Sequence, residues 1–153
     1  MVAGAALVTA AAAGCSAPGP HTEGPSIQVP AAYVQVPAST GAVTVGYLDI
    51  RDNGGADQLM SVSTSVGGHV ELRGPVKPGV TPIVMHTVSD IPIAANATTQ
   101  LIPNGYHLLI SGTGPMHDGK DITLTLKFAH AGVITILAVV TNPQNGGSSY
   151  FLN

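Results

Sequence analysis

The sequence predicts an all-β fold, an antiparallel Greek-key β-sandwich, and three observations carry that expectation. β-branched and aliphatic runs recur about every ten residues, each bounded by Gly, Pro or Asn, the rhythm of short strands joined by turns. No stretch of eleven or more residues repeats its apolar positions with a helical period. The segment Asp121 to Phe128 alternates strictly, with Ile122, Leu124, Leu126 and Phe128 on one face and polar side chains on the other. That is the pattern of a strand half-buried in a sandwich.

In chain order the expected strands are Ile27 to Val36, Ala42 to Ile50, Leu59 to Ser65, His69 to Arg73, Pro82 to Val88, Thr98 to Ile102, Tyr106 to Ile110, Asp121 to Phe128 and Val133 to Val140. Each is rich in β-branched or aliphatic residues, and turn-forming residues separate them, as in Asn53-Gly54-Gly55 and Asp118-Gly119. The last strand is more uniformly apolar and follows the Ala131-Gly132 turn, so a central place in the sheet is expected for it.

The ends of the chain differ from this body. Residues 1–14 read MVAGAALVTAAAAG, too short to span a bilayer, and lead into Ala12-Ala13-Gly14-Cys15-Ser16. Small residues before a cysteine resemble a bacterial lipobox, which implies a lipoprotein signal peptide, cleavage before Cys15 and a lipid anchor on that residue. Residues 15–25 then form a Pro- and Gly-rich tether with nothing to bury. The sandwich domain is expected over 26–141, and 142–153 as a loose C-terminal tail. Cys15 is the only cysteine, so no internal disulfide can form and fold stability must come from the core. The expected location is extracytoplasmic, in a bacterial cell envelope, with the membrane held through the N-terminal lipid.

Charge excludes other partners. The 153 residues hold 5 Lys+Arg against 8 Asp+Glu, a formal net charge of -3, and the cations Arg51, Arg73, Lys77, Lys120 and Lys127 are scattered along the chain. Such a chain cannot neutralise a row of phosphates, so no nucleic acid is expected as a partner, and polybasic attraction to a membrane is excluded with it. Catalytic signatures are also missing: the sequence has no HExxH, GxSxG, Walker or strand-to-helix GxGxxG motif. We therefore expect no enzyme.

What the chain does offer is soft and borderline donors: Met60, His69, Met85, His86, His107, Met116 and His117. Thioether and imidazole are neutral ligands suited to Cu(I), and they do not oxidise to disulfides outside the cytoplasm. Met60 and Met116 are most simply packing residues, and His117 a solvated one.

Order and spacing add to this. Gly46-Tyr47-Leu48-Asp49-Ile50-Arg51, then Glu71-Leu72-Arg73, Met85 and Gly105-Tyr106-His107 resemble the periplasmic PCu(A)C copper chaperones. Those are cupredoxin-like β-sandwiches that hand Cu(I) to the CuA centre of cytochrome c oxidase. The family pattern is His, eleven residues, Met, twenty-one residues, then His-x-Met. Here eleven residues separate Arg73 from Met85 and twenty-one separate Met85 from His107. The resemblance runs from about Gly46 to Val140, and it implies Met85 and His107 as the metal ligands that carry over. Arg73 takes the first histidine's place and Leu109 that of the final methionine.

Leu109 keeps the strand face but supplies no donor. Arg73 is worse than a missing ligand, because guanidinium stays protonated and has no lone pair to give. A fixed positive charge ~6 Å from Cu(I), at an effective dielectric of ~20, costs about 2.8 kcal/mol. His69, His86 or His117 is a candidate helper ligand, though His86 follows Met85 directly and faces the other way on a regular strand.

The resemblance thus implies a copper chaperone-like lipoprotein that binds Cu(I) weakly, with cytochrome c oxidase assembly proteins or the CuA subunit as partners. The alternative is a metal-free β-sandwich lipoprotein with a degenerate site acting as an interaction module. A third reading, an extracytoplasmic enzyme using Arg73, Glu71 and His107, lacks a positioned nucleophile. Metabolic labelling with a fatty acid is expected to mark the mature protein, and Cys15→Ser to remove the label. Absence of label in the wild-type protein would exclude the anchor.

Overall fold

The computed structural model describes residues 23–145. The expected signal peptide with Cys15, most of the expected tether and the end of the expected C-terminal tail lie outside the described residues.

Ten strands follow in order: β1 (Ile27–Gln35), β2 (Thr44–Asp52), β3 (Asp57–Thr64), β4 (His69–Pro75), β5 (Met85–Thr87), β6 (Ile91–Ile93), β7 (Thr98–Leu101), β8 (His107–Ser111), β9 (Asp121–Phe128) and β10 (Val133–Thr141). They form one curled sheet in the order β5-β4-β8-β2-β1-β10-β9-β3-β6, with β7 on β2 beside β8. Curling wraps the sheet around a single core containing Val34, Ile50, Leu59, Leu108, Ile110, Leu124, Leu126, Phe128, Ala138 and Val140. In β9 the alternation holds as read, with Ile122, Leu124, Leu126 and Phe128 all buried.

The sheet is mixed, because β1 and β10 pair in parallel, Tyr33 opposite Val139, where only antiparallel pairs were expected. Alternation says which face is buried and nothing about strand direction. β10 is central in the strand order, yet Val133, Leu137 and Val139 on its outer face are exposed while Ala138 and Val140 enter the core. The strand β6 was not anticipated. Ile91 and Ile93 are buried around an exposed Pro92, and proline is tolerated there because β6 is an edge strand.

The expected strand from Pro82 to Val88 shrinks to the three residues of β5. Residues 76–84 instead make a hairpin loop, closed by the Val76 amide donating to the Val84 carbonyl at 2.8 Å and turned at Gly79, whose φ is +75°. The loop leaves Val76, Val80, Ile83 and Val84 exposed. Met116 is buried as expected, but Met60 is exposed, because it follows the buried Leu59 directly and alternation puts it on the outer face of β3.

Two buried aspartates tie together the end of the sandwich where β1 begins. Asp52 accepts the amides of Ser26 (2.9 Å) and Gly54 (2.8 Å) on one oxygen, so the incoming chain lies against the β2–β3 turn. Gly54 must be glycine, since a Cβ there would collide with the Gly24 carbonyl.

Asp57 starts β3 with its side chain wholly buried. It accepts the amides of Gln58 (2.8 Å), His130 (2.9 Å) and Ala131 (2.8 Å), and His130 Nδ1 approaches it at 3.1 Å. Burial pushes this carboxyl up, but the backbone donors Ala131, Gln58 and His130, with the His130 ring, outweigh it and hold the pKa below the usual value. A depressed folded-state pKa adds stability that is fully present above the unfolded value of about 3.9 and is lost as pH falls through the lowered one. Asp57→Asn is therefore expected to cost about 1–3 kcal/mol at pH 7. It should also flatten the acid limb of stability, measured by urea denaturation at several pH values below 5.

Candidate metal centre

The site is built on β4, which pairs antiparallel with β5 on one side and β8 on the other. Arg73 stands opposite Thr87 on β5 and opposite His107 on β8, and Pro75 stands opposite Met85. Residues directly opposite in a ladder share a face, as do residues two apart in a strand. Glu71, Arg73, Met85, Thr87, His107 and Leu109 therefore all lie on the outer face, while Leu72, Leu108 and Ile110 fill the core behind them.

Met85 and His107 are brought to one face with β4 between them. Two strand spacings and a two-residue offset put their Cα atoms about 12 Å apart, so their side chains can share an ion only by leaning together over position 73. Both are half-buried. His107 Nδ1 lies 3.0 Å from the Gly105 carbonyl. A carbonyl only accepts, so Nδ1 carries the proton, and Nε2 of the neutral ring keeps its lone pair.

Tyr47 covers the other flank of the imidazole, ring centroids 6.3 Å apart, and is itself packed on Tyr33 at 5.2 Å. Burial raises the pKa of both phenols, with Tyr47 and Asp49 adding to the effect at Tyr33. Both stay neutral at physiological pH and present no phenolate to a metal.

Position 73 is filled by a clamp. The Arg73 guanidinium donates to Thr87 Oγ1 (2.9 Å), the Met85 carbonyl (3.3 Å) and Glu71 Oε2 (3.5 Å), and Thr87 Oγ1 donates to the same carboxylate oxygen (2.9 Å). These contacts draw the guanidinium over β5, toward Met85 and away from His107. Thr87 was not singled out in the sequence. Its place two residues after Met85, on the same face, was the available signal.

The helper candidates are not gathered with this pair. His86 faces the opposite way, its Nδ1 3.0 Å from the Gly74 carbonyl. His69 is exposed on the outer face, 3.9 Å from Glu71. His117 is exposed in the β8–β9 connection. Leu109 lies two residues beyond His107, half-buried and without a donor. Among the described residues no group of three or more His, Cys, Asp or Glu forms a metal cluster. The donor set thus fits a soft monovalent ion in kind, one thioether and one imidazole, but Arg73 occupies the strand position between them and its cation is held over β5.

A cupredoxin-like domain of the PCuAC type is the class this fold defines. The apo PCuAC domain from PmoF1 has a TM-score of 0.66 at 19% identity, covering 76% of this chain and 94% of that one. The copper-bound PCuAC domain from PmoF2 has a TM-score of 0.62 at 18% identity, covering 76% and 93%. No curated protein sequence matches. The LpqE-like lipoprotein family model matches residues 27–140, and the chain belongs to that family.

The proton position on His107 is directly testable. Long-range ¹H–¹⁵N correlation spectra of the neutral ring are expected to show Nδ1 protonated and Nε2 bare. The opposite tautomer would remove His107 Nε2 as a donor.

Proposed function

We propose that this protein is a lipid-anchored, extracytoplasmic copper carrier that takes Cu(I) as cargo on Met85 and His107, holds it weakly and passes it toward the CuA centre of cytochrome c oxidase. The observation that carries this reading is the shared outer face of β5 and β8, with Met85 on one strand and His107, its Nε2 lone pair free, on the other. The PCuAC-type fold and the copper-bound PCuAC domain of PmoF2 support it. The lipoprotein description of the family supports an anchor at Cys15.

Two neutral donors suffice for Cu(I) in a nearly linear arrangement, and the weakness comes from Arg73. Its ~2.8 kcal/mol repulsion at ~6 Å is offset in part by the Glu71 carboxylate, which makes the pair neutral overall. Loading then requires the guanidinium to remain over β5 while the Met85 thioether swings across. A second reading, a metal-free interaction module, is favoured by the same clamp, because three acceptors already hold a cation on the face the ion would share. Neither reading assigns a catalytic step. Glu71, Arg73 and His107 do share one face, but the Thr87 hydroxyl beside them is spent on Glu71.

Titration with Cu(I) against a competing chelator separates the two. Wild type is expected to compete weakly and Met85→Ala with His107→Ala not at all. Arg73→His with Leu109→Met should tighten binding roughly a hundredfold. Equal competition by wild type and the double alanine variant would defeat the carrier reading. A site that gains copper only after Arg73 is replaced would favour the interaction module.

A further inference from the structure

We infer that the clamp on Arg73 is a selectivity device: it occupies the Glu71 carboxylate and draws it off His107, so that divalent cations find no site on the face that carries Met85 and His107. What the selectivity is for rests on the Cu(I) reading above; the exclusion of divalent ions does not.

Glu71 is the one acid of β4, β5 and β8, and on the outer face it has an imidazole on either flank. His69, two residues earlier in the strand, brings Nε2 to 3.9 Å from Oε1. His107 sits diagonally across on β8, because Glu71 is opposite Leu109 and Arg73 opposite His107. Diagonal neighbours on one face are ~7–8 Å apart, within reach of long side chains. Two imidazoles and a carboxylate are a zinc-type donor set that also suits divalent copper. A free carboxylate here would attract a doubly charged ion about twice as strongly as Cu(I).

The clamp prevents that gathering. β5 and β8 flank β4 on opposite sides. From β5, Thr87 Oγ1 donates to Glu71 Oε2 at 2.9 Å. Arg73 donates to the same oxygen at 3.5 Å while Thr87 and the Met85 carbonyl hold it at 2.9 and 3.3 Å. Each of these bonds pulls toward β5, so the carboxylate turns away from β8 and His107. Among the described residues no cluster of three or more His, Cys, Asp or Glu forms, although the register sets His69, Glu71 and His107 on adjoining positions.

The charge of Glu71 is cancelled as well. Removing one positive charge ~6 Å away, at an effective dielectric of ~20, tightens binding of a monovalent ion about a hundredfold and of a divalent ion about ten-thousandfold. The divalent gain is the square of the monovalent gain at any distance or dielectric, so their comparison does not depend on either value.

The test is competition against chelators for Zn(II) and for Ag(I), a soft monovalent ion, neither of which changes oxidation state. The mature chain is used as Cys15→Ser, which removes a thiol that would itself bind both ions. Wild type is expected to take Ag(I) weakly and Zn(II) not at all. Arg73→Gln with Thr87→Val should gain both, Zn(II) by at least the square of the Ag(I) factor. Adding Glu71→Gln should abolish the Zn(II) gain and leave Ag(I) binding in place. Thr87→Ser, which keeps the hydroxyl, should refuse Zn(II) as wild type does. The apo variants should melt within a few degrees of wild type, since Thr87 is exposed and Glu71 and Arg73 are partly so.

Zn(II) binding by wild type as tight as by the released variant would overturn the inference, as would equal gains for the two ions or a Zn(II) gain that survives Glu71→Gln. The released variant is expected to keep Zn(II) when Met85→Ala is added, because the thioether takes no part in that site. Loss of the Cu(I) reading therefore leaves the Zn(II) result standing, and the reverse.

Discussion

The register of β4 is the constraint on which the rest of the outer face depends. Because β4 is hydrogen-bonded on both sides, one residue, Arg73, faces Thr87 and His107 at once. A slip of one residue would send every side chain of the strand to the opposite face. The core side resists that slip. Leu72 packs there, and Gly74 passes under the Tyr106 ring, where an added Cβ would come within 2.7 Å of Cε1 and 3.2 Å of a Val88 methyl. Moving β4 along would drive Leu72 or a longer side chain into that ring. A glycine behind the sheet thereby fixes what stands in front of it.

Much of this was legible in the sequence, and the rest failed for identifiable reasons. The strict alternation of β9 and the i, i+2 relation of His107 and Leu109 follow from the two-residue period of a strand alone, and both appear as read. Direction and adjacency carry no such signal. Nothing local in Tyr33 to Gln35 announces a parallel partner at Val139 to Thr141, and a three-residue edge strand with a central proline does not read as β6. The expected strand from Pro82 to Val88 begins with apolar residues that belong to the loop, and pairing with β4 is limited to Met85 to Thr87.

The family resemblance implied Met85 and His107, and residue identity alone puts a cation at position 73. The clamp was not legible, because it joins Arg73 to Thr87 and to a backbone carbonyl across strands.

The clamp also decides how the site treats a cation. A metal ion arriving between Met85 and His107 meets a place where positive charge is already neutralised, since Glu71 and Arg73 form an ion pair at 3.5 Å with a shared hydroxyl. The pair is about one-quarter to one-third exposed, so its energy is small and solvent-screened. Its effect is geometric: the guanidinium is directed toward Met85 and the carboxylate is occupied.

A histidine at this position would offer a lone pair at the centre of the face, whereas arginine offers a tethered cation that needs no loading. The same backbone and register therefore support two opposed states, one that waits for a metal and one that already contains its substitute charge. What separates them is the side chain at position 73, a lone pair in the one and a cation already held by Thr87, Glu71 and the Met85 carbonyl in the other.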